Sequence, residues 1–153
     1  TGRLSTRDLP GGSSGSLRVP ALVALPDGPL LLVHDHRPRP GAGAWREHGG
    51  ALPDDLPNSL WLRRSDDAGV TWSAPQRLMP TDVGLGGVSD PSVLYDPRTG
   101  RLHLFAAAAT DVGLFGAHPP SPSAREGLAP EPGTLRLLHA VSADAGITWD
   151  WET

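Results

Sequence analysis

Residues 19–36 read "VPALVALPDGPLLLVHDH", two apolar runs on either side of a Pro-Asp-Gly triplet. Proline presets φ and glycine accepts a positive one, so the triplet predicts a turn. The flanking runs then predict a β-hairpin with strands over 19–25 and 29–36. A loop rich in Gly and Pro follows over 37–58, and "SLWLRRS" (59–65) predicts a third strand. The octet "SDDAGVTW" (65–72) reads as a turn, and "SAPQRLM" (73–79) as the start or continuation of a fourth strand.

The second half repeats the plan. "PSVLYDPRTGRLHLFAAAA" (91–109) is a strand, a turn and a strand, and a long loop spans 110–133. "TLRLLHAVS" (134–142) is the third strand, "SADAGITW" (142–149) the turn, and "TWDWET" opens the fourth. Pro20 and Pro91 start matching hairpins 71 residues apart, and the two octets stand 77 apart. The difference is small enough to sit in loops. A four-stranded antiparallel meander written twice is the plan of consecutive β-propeller blades. The one helix-friendly stretch, "LHLFAAAA", is too short and too closely flanked by strand patterns to compete. The fold class expected is all-β. A flexible leader over 1–16, ending in "GGSSGS", precedes blade one at about 17–80 and blade two at about 88–153.

The octets carry Ser65, Asp67, Gly69, Thr71 and Trp72 in one copy and Ser142, Asp144, Gly146, Thr148 and Trp149 in the other. Ser and Asp side chains satisfy unpaired backbone N–H groups of a turn at short range. Glycine accepts positive φ, threonine restarts the strand, and an indole buries apolar area beneath the turn. One carboxylate per turn, boxed by its own loop, fits a structural part better than a catalytic or metal-binding one.

Composition adds bounds. Gly (19) and Pro (17) make up nearly a quarter of the 153 residues, and apolar residues 38%, which describes a turn-rich globular chain. Net charge is −4, all 13 basic residues are Arg, and no broad basic field argues for nucleic acid. Cysteine is absent, so disulfides and thiolate metal sites are excluded. No apolar run reaches the ~18 residues of a membrane span. The chain opens at Thr1 with no signal-like segment, so trimming of one end is expected. Of six histidines, His34 and His36 share a strand face, but no third ligand clusters with them, and neither metal nor cofactor is expected. Arg63 and Arg64 read as a solvated strand end.

S-x-D-x-G-x-T-W, present twice, resembles the Asp box of sialidases and related propellers. "LRVP" (17–20) resembles the sialidase "(F/Y)RIP" signature, with Leu17 for the aromatic and Val19 for Ile. The resemblance implies that Arg18 grips a substrate carboxylate, chemistry that suits a planar guanidinium. "DHRP" (35–38) and "SDPS" (89–92) are similar to stretches whose Arg and Asp meet the sugar's O4 side, which implies Arg37 and Asp90. A loop before "PNS" carries the family's general acid. In "ALPDDLPNS" this implies Asp54, with Asp55 in reserve, since the acid's own place is taken by Pro53 in a longer loop.

The resemblance, over residues 17–152, thus implies the first two blades of a six-bladed exo-α-sialidase, bacterial in kind and secreted, acting on sialylated glycans with retention. Its nucleophile would be a Tyr paired with a Glu, joined by two further Arg. Tyr95 is the only tyrosine and lacks that context, and Glu47, Glu126, Glu131 and Glu152 form no base motif. Those parts, with the remaining blades, are expected on later sequence, and these 153 residues alone are expected to be inactive. The alternative is a non-catalytic Asp-box propeller that binds carbohydrate or protein.

Overall fold

A computed structural model describes residues 15–38, 58–79, 85–110, 116–121 and 131–152. It contains two four-stranded antiparallel sheets in strand order 1-2-3-4 and 5-6-7-8. The first holds β1 (Gly15–Ala24), β2 (Leu30–Pro38), β3 (Ser59–Ser65) and β4 (Gln76–Leu78). The second holds β5 (Gly87–Asp96), β6 (Arg101–Ala109), β7 (Leu135–Ser142) and β8 (Asp150–Glu152). Each sheet is a meander, so the all-β reading and the repeat of four strands hold. Pro26-Asp27-Gly28 forms the expected turn: Gly28 has φ 104°, and its N–H donates to the Leu25 carbonyl at 3.0 Å. The alanine-rich stretch is strand β6, and Ala106 and Ala108 are buried.

Two boundaries move. β1 starts at Gly15, inside the stretch read as a leader, because residues 15–18 pair with 35–38. β2 accordingly runs through Pro38 rather than ending at 36, which brings Arg37 into the sheet opposite Ser16. The rest of the leader, residues 1–14, lies outside the described residues.

The two sheets pack face to face around one core. Leu31, Val33, Leu60 and Leu62 meet Val88, Leu102, Leu104 and Leu138, all at most 4% exposed. Strand alternation puts His103, Phe105 and His139 on the opposite face of the second sheet. There the rings of Phe105 and His139 stack at 4.6 Å, and His139 Nδ1 lies 2.7 Å from Glu152. Leu94 (45%) and Leu137 (71%) stay exposed on that face.

The octets close the β3–β4 and β7–β8 connections with matching bonds. Asp67 accepts from the Thr71 N–H at 2.8 Å and the Thr71 hydroxyl at 2.6 Å, and Ser65 Oγ accepts from the Gly69 N–H at 2.8 Å. Asp144 accepts from Thr148 at 2.9 and 2.6 Å, and Ser142 from Gly146 at 2.9 Å. Two consecutive residues take positive φ in each turn, Ala68 (57°) with Gly69 (88°), and Ala145 (59°) with Gly146 (86°). A side chain at Gly146 would put its Cβ 2.6 Å from Leu31 Cδ1 of the facing sheet, so glycine is required there for room as well as for φ. Trp149 packs against the core and donates to the Gly146 carbonyl at 3.2 Å.

Candidate active site

β2 carries Asp35 and Arg37 on one face, two residues apart. That face also carries Leu31 and Val33, so it points at the second sheet. Asp35 is fully buried and Arg37 is 8% exposed. Arg37 donates Nε–H and Nη2–H to Asp35 Oδ2 at 2.9 and 2.8 Å. The same Nη2 reaches Asp90 Oδ1 on β5 at 3.1 Å, and so joins the two sheets. Ser89 Oγ donates to the other oxygen of Asp90 at 2.8 Å.

Arg18 stands directly opposite Asp35 in the β1–β2 register. The structure thus gathers Arg18, Asp35, Arg37 and Asp90 at one end of the paired sheets. Two irregularities in the strands make this possible. Register shifts fall between Arg18 and Ala21 in β1 and between Ser89 and Ser92 in β5. Val19 (φ 48°) and Asp90 (φ 54°) sit inside these bulges. A bulge re-aims the side chain at its strained residue, here the Asp90 carboxylate toward Arg37.

The electrostatics follow from burial. Loss of water pushes the Asp35 carboxyl above its ordinary range, against the pull of the Arg37 hydrogen bond and charge. His34 and His36, on the other face of β2, are 3% and 8% exposed, and burial lowers the pKa of both rings. The neighbouring Arg63 is 5% exposed, not the solvated strand end expected, and the register places it on that same face with His34. Arg64 is partly exposed and reaches across to the Ala145 carbonyl at 3.1 Å.

The octets lie elsewhere. Leu30, opposite Ser65, is seven residues along β2 from Arg37, or roughly 23 Å. Hydrogen bonds from Thr71 hold Asp67 at a pKa of about 2, and those from Thr148 hold Asp144 at about 2. Both carboxylates are engaged by their own turns. Tyr95 pairs with Leu102 at the far end of β5 from Asp90 and packs against the core. Asp54 and Asp55 fall outside the described residues. The described chain resumes at Asn58, whose carbonyl accepts from the Val88 N–H at 3.0 Å, two residues from Asp90.

No protein-family model matches the chain. Over 138 residues it is 36% identical to the sialidase of Micromonospora viridifaciens, a match covering 89% of this chain and 19% of that protein. The chain is sialidase-like. It is also 29% identical over 148 residues to a sialidase of Bacteroides fragilis (strain YCH46), covering 90% of this chain and 24% of that one. Among solved structures, the NanB sialidase of Streptococcus pneumoniae aligns with a TM-score of 0.65 at 15% identity, over 94% of this chain and 37% of that one. That likeness concerns the fold. The sialidase-like chain therefore spans a fifth to a quarter of its curated relatives' length, 19% and 24%.

Among the described residues, no group of three or more His, Asp or Glu is disposed to hold a metal ion, and no helix is long and apolar enough to cross a membrane. Sequence reading missed Asp35. The signal was available: a carboxylate on the inward face of an apolar run has to meet a cation, and Arg37 is two residues on.

Proposed function

We propose that the full-length protein carrying these two blades is a retaining exo-α-sialidase that removes terminal sialic acid from glycoconjugates through an Asp-box propeller. The observation that carries this reading is the meeting of Arg18, Asp35, Arg37 and Asp90 at one end of the sheets in a sialidase-like chain. Leu94 and Leu137, exposed on the outer face of the second sheet, support a further blade packed against it.

In this reading Arg18 takes the substrate carboxylate in a two-bond fork. Arg37 and Asp90 face one hydroxyl, the first donating and the second accepting. Asp54, with Asp55 as the alternative, protonates the leaving oxygen and then serves as base toward water. The substrate's own carboxylate repels a carboxylate nucleophile, so a neutral Tyr activated by a Glu suits the attack, a mode known for sialidases. Tyr95, packed at the far end of β5, does not offer that group.

The test is sialoside hydrolysis by the full-length protein, with the anomer of the first product followed by NMR. Release of the α-anomer is expected. Sialoside binding without hydrolysis would overturn the reading in favour of a carbohydrate-binding module.

A further inference from the structure

We propose that Asp35 is a positioning residue that fixes the Arg37 guanidinium and balances its charge, so that Arg37 reads a neutral hydroxyl and does not compete for the substrate's carboxylate. The inference rests on the sialidase reading for its substrate, but on geometry for its core.

Asp35 is fully buried, so it does not touch a solute itself. Its Oδ2 takes two donors from one arginine, at 2.9 and 2.8 Å, which sets both the plane and the rotation of the guanidinium. A long, rotamer-rich side chain is thereby held before substrate arrives, and preorganisation of this kind lowers the cost of binding. The second contact of the same Nη2, to Asp90, is 3.1 Å long, and the Asp90 side chain is 53% exposed. That contact is screened by solvent and cannot hold the arginine alone.

Charge points the same way. Arg37 lies between two carboxylates, one buried and one at the surface. A guanidinium already flanked by two anions attracts a third weakly. A neutral hydroxyl placed between them can accept a hydrogen bond from Arg37 and donate its own to an Asp90 oxygen. Arg18 stands opposite Asp35 on β1, and in this reading it is the cation that meets an anionic group of the ligand.

The experiment is a double-mutant cycle in the full-length protein, with Asp35→Asn, Arg37→Ala and the pair, assayed on an aryl sialoside. Asp35→Asn should raise KM about tenfold and change kcat by less than about threefold, the split expected of a binding contact. In the Arg37→Ala background the same change should add nothing, since its effect travels through the arginine. Effects that multiply across the two backgrounds overturn the proposal, as does a lowered Tm with unchanged KM. A crystal structure of Asp35→Asn supplies a readout independent of turnover. The guanidinium is expected to leave its place beside Asp90, and an unmoved, fully ordered Arg37 overturns the proposal. If the wild type hydrolyses no sialoside, the functional reading fails, while the crystal structure still decides the role of Asp35.

Discussion

Val19 and Asp90 occupy the same place in consecutive blades, 71 residues apart, each in the left-handed region immediately before a proline. A residue before proline ordinarily adopts extended backbone, so both are strained. In blade two the strain has a visible use. The bulge sends the Asp90 carboxylate across to Arg37 of the first sheet. In blade one the same place holds an exposed valine.

This pair gives the first prediction. Asp90→Gly relieves the left-handed backbone, worth about 1 kcal/mol, and removes a half-exposed ion pair worth under about 1 kcal/mol. The two nearly cancel, so Tm of the full-length protein should shift by no more than a few degrees. KM for a sialoside should rise several-fold. Calorimetry with steady-state kinetics checks both, and a large loss of stability with unchanged KM would assign Asp90 to the fold alone.

The octets should behave oppositely. Asp67→Ala or Asp144→Ala removes the acceptor of several turn bonds and should lower Tm by a few degrees while leaving KM alone, given the roughly 23 Å to Arg37 along β2. Their pH window is also defined. Each folded carboxyl titrates at about 2, below its ordinary value of 3.8. Their stabilisation is therefore complete above pH 4 and is lost as pH falls from about 4 to about 2. Acid-unfolding curves of the two alanine variants should lose that portion of the transition.

Burial lowers the pKa of His34 and His36 below 6.5. The unfolded chain then binds more protons than the folded one, so stability should begin to fall as pH drops through 6.5, well before the octets respond. The glutamine variants His34→Gln and His36→Gln carry no ring to titrate. Tm measured between pH 7.5 and pH 5.5 should decline in the wild type and flatten in the double variant. An equal decline in both would place the acid-sensitive group elsewhere.

The strands, their pairing and the octet turns were legible because each follows from local pattern. Apolar runs end at Pro-Asp-Gly or at Ser-x-Asp, and the repeat fixes the number of strands. What stayed hidden is not set by local pattern. The buried state of Arg63, the meeting of Asp35 with Arg37, and the reach of Asp90 between sheets are properties of packing. The extra residues of β2 were missed for a related reason: Arg37 and Pro38 look like a loop entry until residues 15 and 16 are seen to pair with them. Arg18, Arg37 and Asp90 were nameable only through resemblance, since each taken alone is an ordinary strand-end or turn residue.

Arg18→Lys keeps the charge and loses the fork. If Arg18 takes the substrate carboxylate, the transition-state stabilisation read from kcat/KM should fall by about 2–3 kcal/mol, the worth of a charged hydrogen-bond pair. Kinetics on a natural sialoside checks this, and a lysine that serves as well would return Arg18 to the role of a strand-end cation.

The general acid is open to a kinetic test. An aryl leaving group departs with little protonation, whereas a sugar leaving group needs a proton in the transition state. Loss of the acid should therefore slow a sialyl-lactose substrate by roughly 10²–10⁴-fold and an activated aryl sialoside far less. Asp54→Ala is expected to show that contrast, and Asp55→Ala to lack it. The reverse pattern would move the role one residue along, which the longer loop before Asn58 makes a real contest. Both variants should keep the wild-type Tm if these carboxylates belong to the chemistry rather than to the fold. If neither variant separates the two substrates, the acid lies on another segment, and the match of "DDLPNS" to the family's loop is wrong.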